Sequence, residues 1–201
     1  MAEPKKQGDS LPRRRLGGRS ARIMQAVFES ALMELSLVGY TGFSIANVAR
    51  RAEVHETTIY RRWQQKENLI IEACDYFVDQ NMPVPDTGKL QKDLKIALTN
   101  LVKLIQTPVG EVLVALGFSA RSIPEFSGRT LGFLHTRIGI GQKVIEQAVA
   151  RGEWPKDYDS GEVFATLVGP IFARYFLLQE PITPKMIENR VAAVLALRDR
   201  S

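Results

Sequence analysis

Thr57, Thr58 and Arg61 are three side chains that could meet a hydrogen-bonding surface together. At roughly 100° per residue they fall on one side of a helix running from about Glu56 to Trp63, with Ile59 and Trp63 opposite and Tyr60 on the flank. A threonine hydroxyl donates and accepts, and its methyl suits the thymine methyl. An arginine reads guanine or grips phosphate. A second short pattern precedes this one. Ser44 is a good N-cap, and Ile45, Val48 and Ala49 form one apolar helix face before a tight connection through Ala52, Glu53 and Val54. Arg50, Arg51, Arg61, Arg62 and Lys66 stand against Glu53 and Glu56, five cations to two carboxylates and a net charge of +3. Two short helices, the second with a polar outer face, suit a helix-turn-helix whose second helix lies in the DNA major groove. A core hairpin with a solvated basic face fits the same periodicity.

Residue identities bear on that choice. Gly39-Tyr40-Thr41-Gly42-Phe43-Ser44-Ile45, Val48-Ala49, Ala52-Glu53-Val54, Thr58-Ile59-Tyr60, the aromatic Trp63 and Lys66-Glu67-Asn68-Leu69 fall in step over about residues 20–80. In these features the segment resembles the N-terminal domain of the tetracycline-repressor (TetR) family of bacterial transcription regulators. His55 stands where that family usually has Ser or Thr, Arg62 where His is frequent, Trp63 where Phe is usual and Gln64 where Pro is common. His55 is the weaker N-cap, so the reading helix starts on Glu56 and the helix dipole. The candidate base contacts are Ala46, Glu56, Thr57, Thr58 and Arg61. Ser44, Tyr60, Arg62 and Lys66 are candidates for phosphate, and Asn47 joins the DNA-binding set.

These side chains need a scaffold. A wide apolar stripe of Ile23, Ala26, Val27, Ala31 and Leu35, flanked by Phe28 and Leu32, predicts a first helix over about 21–38, with Gly39 just past its end. Phe43 is expected to plug the three-helix core. A fourth helix over about 66–81 turns Leu69, Ile70, Ala73, Phe77 and Val78 inward. Cys74, the single cysteine, lies on it and reads as a packing thiol, with a redox sensor as the alternative. Met82-Pro83-Val84-Pro85-Asp86-Thr87-Gly88 cannot continue a helix, so a short semi-rigid hinge separates residues 20–81 from 82–201.

The chain has 201 residues, 45% hydrophobic and 24% charged, with a net charge of +5. In residues 1–22, Lys5, Lys6, Arg13, Arg14, Arg15, Arg19 and Arg22 face Glu3 and Asp9, so this stretch carries the whole +5. Residues 1–19 are expected to be disordered alone: a basic arm along DNA through Arg13, Arg14 and Arg15, or a solubilising tail. No apolar run approaches the ~20 residues of a membrane span, and no signal-peptide core is seen. With one cysteine, an internal disulfide is impossible and the cytoplasm is expected, on the nucleoid when bound to DNA.

The second domain reads as all helix, over about 89–106, from Pro108 to about Ala120, 127–151, 160–179 and from Pro184, with Thr183 as N-cap. Gly161, Ala165, Gly169 and Ala173 recur every four residues, and Pro170 is expected to bend their helix. This small-residue stripe lets another helix approach closely. The family resemblance implies that the last two helices pair with those of a second subunit, through Gly161, Ala165, Val168, Gly169, Phe172, Ala173, Val191 and Leu195; completing one subunit's core is the alternative. Leu116, Phe118, Phe133 and Phe172, with Arg121, His135 and Arg137 as polar points, are the candidate walls of an effector pocket, which would suit a hydrophobic or aromatic small molecule.

Catalytic chemistry is not written in the chain. Phosphate-binding glycine loops, paired-histidine metal motifs and nucleophile elbows are absent, and His55 and His135 lie in different domains. Asp and Glu read as scattered over polar faces. The expected protein is all-α, with an N-terminal three-helix DNA-binding domain and a C-terminal helical effector-binding and dimerisation domain. It is not an enzyme and needs no cofactor. The resemblance implies a homodimeric regulator, a repressor released by a small-molecule effector from a pseudo-palindromic duplex operator. A non-specific or architectural DNA binder is the alternative.

Overall fold

The computed structural model describes residues 18–119 and 140–198. Helices α1 (Gly18–Gly42), α2 (Ile45–Arg51), α3 (Glu56–Trp63) and α4 (Lys66–Asn81) come first. They are followed by α5 (Leu90–Ile105), α6 (Pro108–Ser119), α7 (Ile140–Ala150), α8 (Ser160–Phe172) and α9 (Pro184–Arg198). No strand occurs among the described residues, and no single helix there is long and apolar enough to cross a membrane.

Helix α1 is the scaffold of the N-terminal unit. Its stripe of Val27, Phe28, Ala31, Leu32 and Leu35 is buried, and both α2 and α4 pack along it. At Gly39 the backbone takes φ 64°, a left-handed value open to glycine, and the regular helix breaks there. One further turn leads to Phe43, which is buried as the expected plug. Ile45, Val48 and Ala49 of α2, Ile59 and Trp63 of α3, and Leu69, Ile70, Ala73 and Cys74 of α4 complete the core. The edge of Trp63 meets Phe28 at 5.9 Å between ring centres.

The connector 82–89 is fastened rather than hanging free. Asp93 of α5 is fully buried, and its Oδ1 accepts from the backbone N–H and the hydroxyl of Thr87 at 2.8 and 2.6 Å. Arg151, just past α7, reaches Asp86 at 2.9 Å and Asp93 at 3.3 Å. Glu153 accepts from the backbone N–H of Leu90, the first residue of α5, at 2.9 Å. Asp93 and Glu34 thus depart from the expectation that acids sit on polar faces; each is buried because cationic or hydrogen-bonding partners converge on it.

In the C-terminal part, α5 packs against α6, α7 and α9, and α6 also packs against α1 of the N-terminal unit. Asp159 caps α8, its carboxylate accepting from the N–H groups of Gly161 and Glu162 at 2.8 and 3.1 Å. The expected single helix over 160–179 is not continuous. α-Helical winding ends at Phe172, and Ala173–Leu177 form one π-helical turn. Pro170 has no N–H to close the turn before it, and the widened turn follows three residues on. Of the helix expected over 127–151, only α7 lies within the described residues.

Candidate nucleic-acid interface

The helix-turn-helix is assembled by local caps and a few long-range bonds. Ser44 Oγ accepts from the N–H of Asn47 at 3.4 Å and opens α2. The turn closes with Val54 N–H donating to the Ala49 carbonyl at 3.0 Å, and Glu53 sits at φ 54°. His55 supplies no side-chain cap to α3, so Glu56 in the first turn is the residue that meets the helix dipole. With Ile59 and Trp63 driven inward, Thr57 and Arg61 are exposed on the outer face and Thr58 is half-buried beside them. Ala46, Glu56 and Tyr60 are exposed around this face, while Ser44 is half-buried with its hydroxyl engaged as the cap.

Three of the expected contacts also have partners inside the protein. Asn47 Nδ2 donates to the buried Glu34 carboxylate at 2.7 Å, and its Oδ1 accepts from Arg50 at 3.2 Å. Arg62 lies over the Trp63 ring at 5.2 Å and 3.7 Å from Glu72, whose carboxylate also accepts from the Trp63 indole N–H at 3.0 Å. Lys66 Nζ sits 4.2 Å from the centre of the Tyr40 ring and donates to the Tyr40 carbonyl at 3.2 Å. Asn47 and Lys66 are thereby hydrogen-bonded to α1, whereas Arg62 stays nearly half exposed. Arg13, Arg14 and Arg15 lie outside the described residues.

The Lys66-Glu67-Asn68-Leu69 run thereby acquires a physical role that local periodicity does not reveal. Lys66 and Glu67 both hold Tyr40, the latter accepting from its hydroxyl at 2.8 Å. Asn68 donates to the Trp63 carbonyl at 2.8 Å and closes the end of α3, and Leu69 is fully buried. Cys74 is buried too, and loss of solvation, with the neighbouring Asp75 charge second, pushes its thiol far above the ordinary range.

On the C-terminal side a cavity of about 560 Å³ opens between α6 and the π-helical turn, lined by Glu111, Ala115, Tyr175, Phe176, Gln179, Glu180 and Pro181. Tyr175 donates its hydroxyl to Glu111 at 2.8 Å, which also holds the tyrosine pKa up. Its wall is mostly apolar and carries two carboxylates, Glu111 and Glu180, and the expected Leu116, Phe118 and Phe172 do not line it. Phe118 and Phe172 stand next to it through Phe176, at 6.5 and 6.0 Å between ring centres, and Leu116 is buried. Arg121, Phe133, His135 and Arg137 lie outside the described residues.

Along α8 and into the π-helical turn, Gly161, Ala165 and Ala173 are exposed and Gly169 is half-exposed. No atom of the chain's surroundings lies within 4 Å of where a Cβ on Gly169 would sit. Phe172 and Leu195 are half-buried. Val168 and Val191 are buried in the chain's own core, on two helices, α8 and α9, that pack together.

Comparison with known proteins accords with this architecture. Residues 27–73 match the family described as bacterial regulatory proteins, tetR family, and residues 84–194 match the tetracyclin repressor-like C-terminal domain. The chain is 30% identical over 178 residues to the HTH-type transcriptional regulator AqdR of Rhodococcus erythropolis, covering 89% of this chain and 86% of that protein. Over 70 residues, 34% of this chain and 37% of the other, it is 44% identical to the DNA-binding transcriptional repressor TetR of Mycobacteroides abscessus. Among solved structures, the TetR family transcription regulator SCO0332 superposes with a TM-score of 0.69 at 24% identity, covering 88% of this chain and 96% of that one. A TetR transcriptional regulator from Agrobacterium tumefaciens does so at 0.65 and 19%, covering 87% and 93%. At these identities the superpositions speak for the fold alone.

Proposed function

The chain belongs to the tetR family of bacterial regulatory proteins, non-enzymatic DNA-binding transcription regulators, and on that premise we propose that it is a homodimeric repressor released from its operator by a small molecule. The observation that carries the DNA-reading part is the division of labour on α3. Ile59 and Trp63 are buried while Thr57, Thr58 and Arg61 form its outer face. A non-specific backbone binder would turn its cations outward. Here Arg51 and Lys66 are held by Glu34 and Tyr40, and side chains able to read base edges occupy the outer face of α3.

Each α3 enters one half of a pseudo-palindromic site, and two copies of the chain supply the two halves. The effector-responsive part rests on α6, which carries Glu111 and Ala115 on the cavity and packs against α1, the scaffold of the reading unit. A ligand there shifts the regulator only by its differential affinity for the DNA-competent and released conformers. The aromatic cluster around Phe176 suits an effector with an aromatic or hydrophobic body. Selection from random duplexes, followed by footprinting on DNA flanking the encoding gene, tests the reading. A symmetric protected site is expected, and enrichment of no symmetric sequence would leave a non-specific binder.

A further inference from the structure

Glu34 has no place in the functional reading so far, yet its side chain is only 2% exposed, an uncommon position for a carboxylate. Its two oxygens are divided between two residues one turn apart on α2. Oε1 accepts from Asn47 Nδ2 at 2.7 Å, and Oε2 accepts from Arg51 Nη1 at 3.1 Å. Arg51 also donates to the carbonyl of Ser30, one turn before Glu34 on α1, at 3.3 Å. Two adjacent turns of α1 are thus cross-linked to two adjacent turns of α2. In a helix-turn-helix the first helix crosses the DNA backbone, and its tilt fixes where the second enters the groove.

We propose that Glu34 is a positioning residue for DNA reading: it anchors α2 through Asn47 and Arg51, and those two side chains are internal struts rather than DNA contacts. The proposal rests on the DNA-reading function above. Its electrostatic content is specific. Arg51 is neutralised within the fold, so it adds nothing to the phosphate contacts that set salt dependence. Glu34, with almost no access to water, depends on its partners, and removing either member of the Glu34–Arg51 pair leaves the other without its counter-charge.

The test uses the full-length chain, its selected operator and a random duplex, at a temperature where circular dichroism shows every variant folded. Arg51→Gln is expected to weaken operator binding about tenfold while leaving the slope of log affinity against log salt unchanged. Loss of a phosphate contact would instead flatten that slope by about 0.9 for each phosphate no longer neutralised. Glu34→Gln, which releases Arg51 from its counter-charge, lowers the ratio of operator to random-duplex affinity. The double variant Glu34→Gln/Arg51→Gln removes both charges, keeps hydrogen-bonding groups and recovers most of the loss. It also replaces either single variant that fails to fold.

A readout without DNA keeps failure of the anchor distinct from failure of the regulator reading. In the free protein, Glu34→Gln is expected to speed amide hydrogen exchange across 45–51 while 69–78 keep wild-type protection. A slope flattened by about 0.9 in Arg51→Gln would overturn the proposal, because Arg51 would then be a phosphate contact. Exchange raised uniformly, or not at all, would overturn it as well. A wild-type chain that selects no symmetric site instead sinks the regulator reading, and the exchange experiment still decides the anchor.

Discussion

At the scale of single residues, the outer face of α3 separates readers from supports. Thr57 and Arg61 have their side chains exposed and their helix fixed from behind by Ile59 and Trp63. Replacing either by Ala is expected to change which bases are preferred, at a cost of about 1–3 kcal/mol for each base interaction removed. Selection on random duplexes with each variant measures this, and unchanged preferences would mean that the reading face lies elsewhere on the helix. Cys74 gives a prediction of the opposite kind. Its thiol is buried, and burial together with Asp75 keeps it protonated well above the usual thiol range. A thiolate is the reactive form, so the folded protein should not react with a disulfide reagent at pH 8, whereas the denatured protein should take up one equivalent. Rapid labelling of the native chain would reopen the redox-sensor reading.

At the scale of elements, boundaries were legible where a residue acts on its own neighbours. Ser44 as a cap, Gly39 at the end of the first regular helix, Pro184 at the start of α9 and the α3 limits Glu56–Trp63 all follow from such local chemistry. Partnerships between elements were not legible. Glu34 meets Arg51 across 17 positions and Tyr40 meets Glu67 across 27, and no periodicity reports such pairs. The internal partners of Arg51, Arg62 and Lys66 were likewise not legible, because each stands on another helix. The π-helical turn was missed for a related reason: Pro170 announces a disturbance, and packing decides how it is absorbed. His55 offers no side-chain cap to α3, so His55→Ser should stabilise the protein by about 0.5–2 kcal/mol, read as a rise in the urea midpoint. Glu153 tests the connector. Its carboxylate is held below the usual range, first by the Leu90 N–H and then by Arg151. A lowered folded-state pKa stabilises above the unfolded value, about 4.3, and that contribution disappears as pH falls through the folded value. Thermal midpoints of wild type and Glu153→Gln should therefore differ at pH 7, and the difference should shrink as pH falls below the unfolded value and vanish below the lowered folded one.

At the scale of the whole molecule, the proposed two-fold operator requires two reading units, and the chain carries one. The face that could join two copies is exposed along α8 and the π-helical turn, where Ala165, Gly169 and Ala173 leave room for an approaching helix. Near them Leu177 is 79% exposed and Phe118 is 68% exposed, apolar side chains that a second copy could cover. Apart from its chain neighbours, a Cβ at Gly169 meets nothing within 4 Å in the single chain. The next residue is Pro170, whose ring crowds a preceding side chain in a helix, so Gly169→Leu is read beside a thermal melt that shows one copy still folded. Against a second copy the added side chain acts twice across a symmetric interface, and overpacking of this kind costs about 1–3 kcal/mol per site. Gly169→Leu is therefore expected to sediment as a smaller species than wild type at micromolar concentration, with an undiminished helical signal. Operator affinity should fall with it, because one α3 holds only half of the site. A wild-type chain that sediments as a monomer would remove the dimer from the proposal. A Gly169→Leu variant that stays dimeric would move the interface to another face of the C-terminal helices.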